Sequence, residues 1–295
     1  MNENQSKTGI IYGLACYFIW GVLPIYWKQI GHVNSLEVLA SRFIWSVVFV
    51  ALIILCTGRV QSFKEEARLI FSKTSTAWRM IMAGVMISFN WGIFIWAVSQ
   101  GHIIETSMGY YINPLVNVLF GMLFLGERLL KLQKIAVACA TAGILYLIYQ
   151  TGSLPWISVG LPMTFASYGL LKKVIPGSAF TTTLIETLII SPVALGFLFY
   201  QAQHGGNAYQ TGSLHDLFYL VGAGVVTAIP ILLFTAAAKL LPFKTIGFLQ
   251  YLSPSITFLI GVFLYGEPFT TTHAISFGCI WLGLFFYVWS QLKNH

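Results

Sequence analysis

Residues 111–127 read YINPLVNVLFGMLFLGE, and residues 251–267 read YLSPSITFLIGVFLYGE. Set over one another at an offset of 140 residues, they share Tyr111 with Tyr251, Pro114 with Pro254, Leu119 with Leu259 and Gly121 with Gly261. Gly126-Glu127 falls on Gly266-Glu267, and the register continues through Ile135/Ile275, Cys139/Cys279 and Gly143/Gly283. Nine ungapped identities over residues 111–143 exceed what shared hydrophobicity produces. Ala83-Gly84-Val85 and Ala223-Gly224-Val225 keep the offset, while a shift of 148 pairs Trp20-Gly21 with Tyr168-Gly169. The chain therefore divides into an internal repeat, 1–150 and 151–295.

The repeat is written in membrane composition. Of 295 residues, 57% are hydrophobic and 8% are charged, against roughly 25% charged in a soluble domain. Apolar runs fall at about 9–27, 36–57, 77–99, 104–125, 132–150, 154–171, 179–200, 217–240, 243–265 and 270–291. Each approaches the ~20 residues needed to cross the hydrocarbon core, and none alternates as a barrel strand would. The expectation is an all-α membrane protein of ten transmembrane helices, arranged as two five-helix repeats around a central cavity. The run after MNENQSK lacks a cationic leader and a small-residue cleavage site, so it reads as a retained helix.

Five spans per half is an odd number, so the second half enters the bilayer inverted. The charges agree. With the N-terminus in the cytoplasm, 14 of 16 Lys and Arg lie on the inner side, Lys28 lies outside and Arg42 lies within a span. Both termini are then cytoplasmic, in the cell membrane. The net charge of +7 answers to anionic lipid and calls for no nucleic acid. In the longest inner loop, Phe63, Ala67, Ile70 and Phe71 suggest a short helix lying in the interface, or else a solvated connector. The Gly143 and Gly283 helices could pack against a second copy, making a homodimer. Inverted repeats are a transporter architecture, with the solute site near the midplane.

The strings Trp20-Gly21-Val22-Leu23-Pro24-Ile25-Tyr26-Trp27-Lys28, Ser88-Phe89-Asn90-Trp91, Gly109-Tyr110-Tyr111-Ile112-Asn113-Pro114 and Tyr168-Gly169-Leu170-Leu171-Lys172-Lys173 resemble RarD-type members of the EamA family, in the drug/metabolite transporter superfamily. The resemblance spans the chain. It implies a basket of ten helices whose third, fourth, eighth and ninth members wall a central cavity. The family's "chloramphenicol-sensitive" label fixes neither solute nor coupling ion.

Candidate site residues follow from helical spacing. Tyr110, Asn113, Asn117 and Gly121 share one stripe, which the repeat carries onto Gln250, Ser253, Thr257 and Gly261, with Tyr251 beside them. The stripes either face each other across a solute cavity or bond neighbouring helices. Pro114 and Pro254 weaken both helices in the same row, and Pro24 breaks the first. Trp20, Tyr168, Asn90 and Trp91 are further wall candidates. Trp78 and Trp289 read as interfacial anchors. Arg42 and Glu186 are the ionisable residues well inside spans. At 1.5 Å per residue they sit roughly 9 Å and 11 Å from opposite faces, so a long Arg could pair with Glu186 in one state and release it to a proton in another. A static pair, or two unrelated buried groups, is the alternative. Glu127 and Glu267 read as helix-end anchors.

No His, Cys or carboxylate spacing suggests a metal, no phosphate loop suggests ATP, and no cofactor is implied. The spans hold no nucleophile–base set, which disfavours an intramembrane enzyme. A non-transporting partner protein would need a relay domain. The expectation is a permease moving a small organic metabolite or drug, outward, by alternating access, with proton coupling an open option.

Overall fold

The computed structural model describes residues 3–99, 103–152, 156–266 and 270–293, and every regular element within them is an α-helix. In chain order these are α1 (Glu3–Lys28), α2 (Ser35–Cys56), α3 (Val60–Ser72), α4 (Thr74–Ser99), α5 (Ile103–Leu125), α6 (Lys131–Thr151), α7 (Trp156–Val174), α8 (Ala179–Gln203), α9 (Ala208–Thr211), α10 (Leu214–Leu240), α11 (Phe243–Gln250), α12 (Leu252–Tyr265) and α13 (Thr271–Lys293). Among the described residues, seven stretches are long and apolar enough to cross a membrane: α1, α2, α5, α6, α8, α10, and α11 with α12. The other three expected runs also form helices, α4, α7 and α13.

Local chemistry sets the ends. Ser178 caps α8, accepting from Thr181 N (3.3 Å). Ser213 and Asp216 form a reciprocal box at the start of α10: Ser213 N donates to Asp216 Oδ2 (2.9 Å), and Asp216 N to Ser213 Oγ (3.2 Å). The repeated glycine of Gly-Glu has one job in both halves. Gly126 (φ 65°) and Gly266 (φ 67°) end α5 and α12 in the left-handed conformation that an L side chain resists. Glu267 lies outside the described residues.

The two prolines of the repeat act differently. Pro114 sits inside an unbroken α5. In the second half the helix breaks at Tyr251, whose N–H reaches back three residues to Phe248 O (3.3 Å) before α12 resumes. Pro254 has no N–H for the carbonyl of Gln250, which favours that break.

Packing is carried by small residues. A Cβ at Gly143 in α6 would meet Ser276 O at 2.8 Å and Cys279 Cβ at 2.9 Å in α13. At Gly283 in α13 it would meet Ala136 O at 2.7 Å and Cys139 Cβ at 3.5 Å in α6. These glycines thus serve the contact between α6 and α13 of one chain, which removes the basis for assigning them to a dimer. Close backbone approach is the reason for glycine there. The remaining main contacts join α5 to α7 and α11, α1 to α10 and α12, α2 to α8 and α10, and α4 to α7 and α8.

One end of the bundle is basic. There, α7 and α10 finish side by side and each caps the other: Lys173 Nζ donates to Ala238 O (2.7 Å) and to Leu241 O, while Lys239 Nζ donates to Ile175 O (2.7 Å) and Gly177 O (2.6 Å). α3 is not a free interfacial helix, because Ile70 is fully buried and Glu66 accepts from Ser178 N (2.9 Å) and Oγ (2.7 Å). Phe71, expected on the same face, is exposed. Trp78 and Trp289 are exposed near span ends, as interfacial anchors require.

Candidate functional site

The two polar stripes do come together, but at the basic half they touch directly. A Cβ on Gly247 would stand 2.6 Å from Pro114 O and 3.2 Å from Asn117 Cβ, so α11 crosses α5 backbone to backbone. Asn117 Nδ2 then donates to Gln250 Oε1 (2.5 Å). Asn117 and Gln250 close a seam where facing cavity walls were expected. Thr257 also departs from the expected wall, donating to Gly21 O in α1 (3.1 Å), because the break at Tyr251 redirects α12 toward α1. Ser253 and Pro254 are partly buried in the first turn of α12. Asn113 and Tyr251 are buried beside the seam, and Asn113 Oδ1 and the Tyr251 hydroxyl meet no partner among the described residues.

Glu127 reinforces the seam. Its carboxylate accepts from Phe243 N (2.5 Å) and Lys244 N (2.8 Å), the free donors that open α11. Lys244 Nζ returns the contact to Arg128 O (2.6 Å). Gly121 makes room, since a Cβ there would lie 2.8 Å from Glu127 Oε2.

Above the seam lies an aromatic cluster. Trp20 rests 5.7 Å from Phe165 and 5.8 Å from Phe234, and Tyr168 stacks on Phe234 at 5.9 Å. Tyr17 and Tyr168 are fully buried. Tyr168 thus lies in the core, and Trp20, partly buried, packs against the same rings. Pro24 lies inside an uninterrupted α1.

Glu186 is paired, and not with Arg42. Its Oε2 accepts from Lys172 Nζ (2.7 Å) and its Oε1 from the Tyr168 hydroxyl (3.0 Å). Lys172 also donates to Thr182 (3.1 Å) and Thr183 (3.4 Å). Lys172 and Glu186 are 0% and 1% exposed, so each charge depends on the other. By sequence Lys172 falls among the inner-side charges, because it follows an apolar run. Its i+4 spacing from Tyr168 on the α8-facing side was the available signal.

Arg42 lies toward the opposite end. Its Nε donates to Thr227 Oγ1 (3.0 Å), and its guanidinium lies over Trp91 (4.0 Å) and Trp27 (5.0 Å). Tyr110 is within electrostatic reach of Arg42 and is 40% exposed. Asn90 instead binds α7, donating to Leu161 O (2.8 Å) and Thr164 Oγ1 (3.0 Å). No cluster of three or more metal-ligating side chains occurs among the described residues.

This helical membrane bundle matches a known family of transporters. The profile of the EamA-like transporter family matches residues 7–149 and again residues 155–289, and this chain belongs to that family. It is 40% identical to a Bacillus subtilis protein named "Uncharacterized transporter YojE", over 99% of this chain and 97% of that one. It is also 40% identical to "Protein RarD" of Escherichia coli, over 98% and 96%, and 30% identical to the "Chloramphenicol-sensitive protein RarD" of Pseudomonas aeruginosa, over 98% and 96%. A solved crystal structure aligns with a TM-score of 0.71 over 95% of this chain and 96% of its own, at 15% identity, a likeness of fold. The chain is a multi-pass membrane protein of a transporter family.

Proposed function

We propose that the protein is a secondary transporter, not an enzyme, that moves a small organic metabolite or drug across the cytoplasmic membrane by alternating access. Its ten spans form two inverted halves, 1–150 and 151–295, with the basic end and both termini in the cytoplasm. The reciprocal contacts of Gly143 with Cys279 and Gly283 with Cys139 support the inversion, since a two-fold axis across an antiparallel pair exchanges one contact for the other. The family model's fit to each half in turn supports the division into two repeats.

One observation carries the functional reading. The basic half is shut by the Asn117–Gln250 seam, the Glu127 clamp and the aromatic plug, whereas at the opposite half Tyr110 stays 40% exposed beside a half-buried Arg42. Contacts that close the basic end are what an outward-facing state requires, and the half that holds Arg42 and Tyr110 is then the open side. Glu186 is the proposed proton site. Protonating it would break its pairing with Lys172 and loosen Tyr168, and with it the plug on Phe234.

Purified protein in liposomes, screened against a metabolite and drug panel with and without a proton gradient, tests this. Gradient-dependent movement of at least one solute, outward in the cellular sense, is expected. Failure to move any solute with folding intact contradicts the reading. Retained proton dependence in Glu186→Gln, at unchanged protein level, removes the coupling role.

A further inference from the structure

We infer that Arg42 is a docking point for an anionic group, so that the solute is an organic anion with a flat apolar portion. The inference rests on the transporter reading of this half of the molecule, and it names the chemistry of the solute.

A guanidinium has five N–H donors and keeps its charge at any physiological pH. Arg42 spends Nε on Thr227 Oγ1, a neutral acceptor. Among the described residues no carboxylate lies within ion-pair distance of it. Of the acids at that end of the bundle, Glu37 accepts from Ala208 N (2.8 Å), and Asp216 accepts from Ser213 N (2.9 Å) at Oδ2 while its Oδ1 lies 2.9 Å from His32 Nε2. The contrast with Glu186, which is fully neutralised within the protein, is direct. A cation held inside a span with no carboxylate against it among the described residues points first to function.

The surroundings orient the group. Trp91 at 4.0 Å and Trp27 at 5.0 Å hold the guanidinium by cation–π contact, which leaves its outer N–H fork available. That fork matches the two oxygens of a carboxylate or phosphate in a way that a lysine ammonium cannot. Tyr110, partly exposed and 5.8 Å from Phe94, adds an aromatic surface for a planar apolar body. The five residues converge from α1, α2, α4, α5 and α10, so the site forms only in the assembled bundle.

Binding to the purified, full-length protein tests this by thermal shift and tryptophan fluorescence. The probes are benzoate and phenylphosphate against the uncharged benzamide and the cationic benzylamine. Expected are saturable binding of the anions and at least about tenfold weaker binding of benzamide, the scale of a lost charge-assisted contact. Arg42→Gln should erase that preference and Arg42→Lys should keep a reduced part of it. Equal binding of benzoate and benzamide, no binding of either anion, or an unchanged preference in folded Arg42→Gln would overturn the inference. If Arg42→Gln fails to fold, Arg42→Lys decides, since full anion preference there would show that the fork is not used. A protein that binds anions at Arg42 but moves no solute leaves this inference standing and sinks the transport reading. One that moves neutral solutes without anion preference does the reverse.

Discussion

Lys172 and Glu186 show how a single pair is held in a place hostile to both. Each is almost wholly buried, and the 2.7 Å contact with two threonine hydroxyls and Tyr168 supplies what water would have given. Removing one partner strands the other, at a cost of about 3–5 kcal/mol. Glu186→Leu and Lys172→Met should each lower the unfolding temperature sharply, while the double variant should recover much of the loss. Additive losses in a double-mutant cycle would show that the pair is not coupled. Of this site, Glu186 was legible because a carboxylate inside an apolar run is conspicuous. Its partner was not, because Lys172 stands at the end of a run, where lysines normally meet solvent. Arg42 was equally visible in the sequence, but Trp27 and Thr227 reach it only through tertiary packing.

At the scale of elements, glycines decide which helices can touch. Gly247→Val should force α11 away from Pro114 O, 2.6 Å from where the new Cβ would stand, and open the Asn117–Gln250 seam. Faster reaction of a thiol placed at Asn117 would register this, whereas unchanged reactivity would mean that α11 yields elsewhere. Gly283→Val should destabilise the α6–α13 contact without changing oligomeric state, as measured by sedimentation in detergent. α3 adds a pH-dependent clamp. Burial pushes the Glu66 carboxyl up, but hydrogen bonds from Thr181 and Ser178 and the Lys239 charge outweigh it and leave the group below its ordinary value. Its stabilising contribution is therefore present above the ordinary carboxylate pKa and is lost as pH falls through the lowered one. Glu66→Gln should flatten the acid limb of a stability–pH curve, and an identical limb would exclude the clamp. Helix positions could be read from apolar runs. The break at Tyr251 could not, because Pro114 and Pro254 look alike in sequence and only the neighbours of α12 separate them.

For the whole molecule, composition gave the solvent and the 140-residue repeat gave the division, since both are written along the chain. Where the two stripes meet was hidden, because the stripe residues are alike in type whether they touch or stand apart. Gly247, one helical turn before Gln250, is what brings them into contact. In transport the closed basic end and the opposite end exchange roles. In a background with Cys16, Cys56, Cys139 and Cys279 replaced, single variants Tyr110→Cys and Asn117→Cys can be probed with impermeant thiol reagents in oriented vesicles. A short crosslink between Glu127→Cys and Lys244→Cys then locks the basic end. Locking should speed labelling at position 110 from outside, abolish labelling at position 117 from the cytoplasm, and stop transport. Labelling of both positions unaffected by the lock would contradict this exchange of roles.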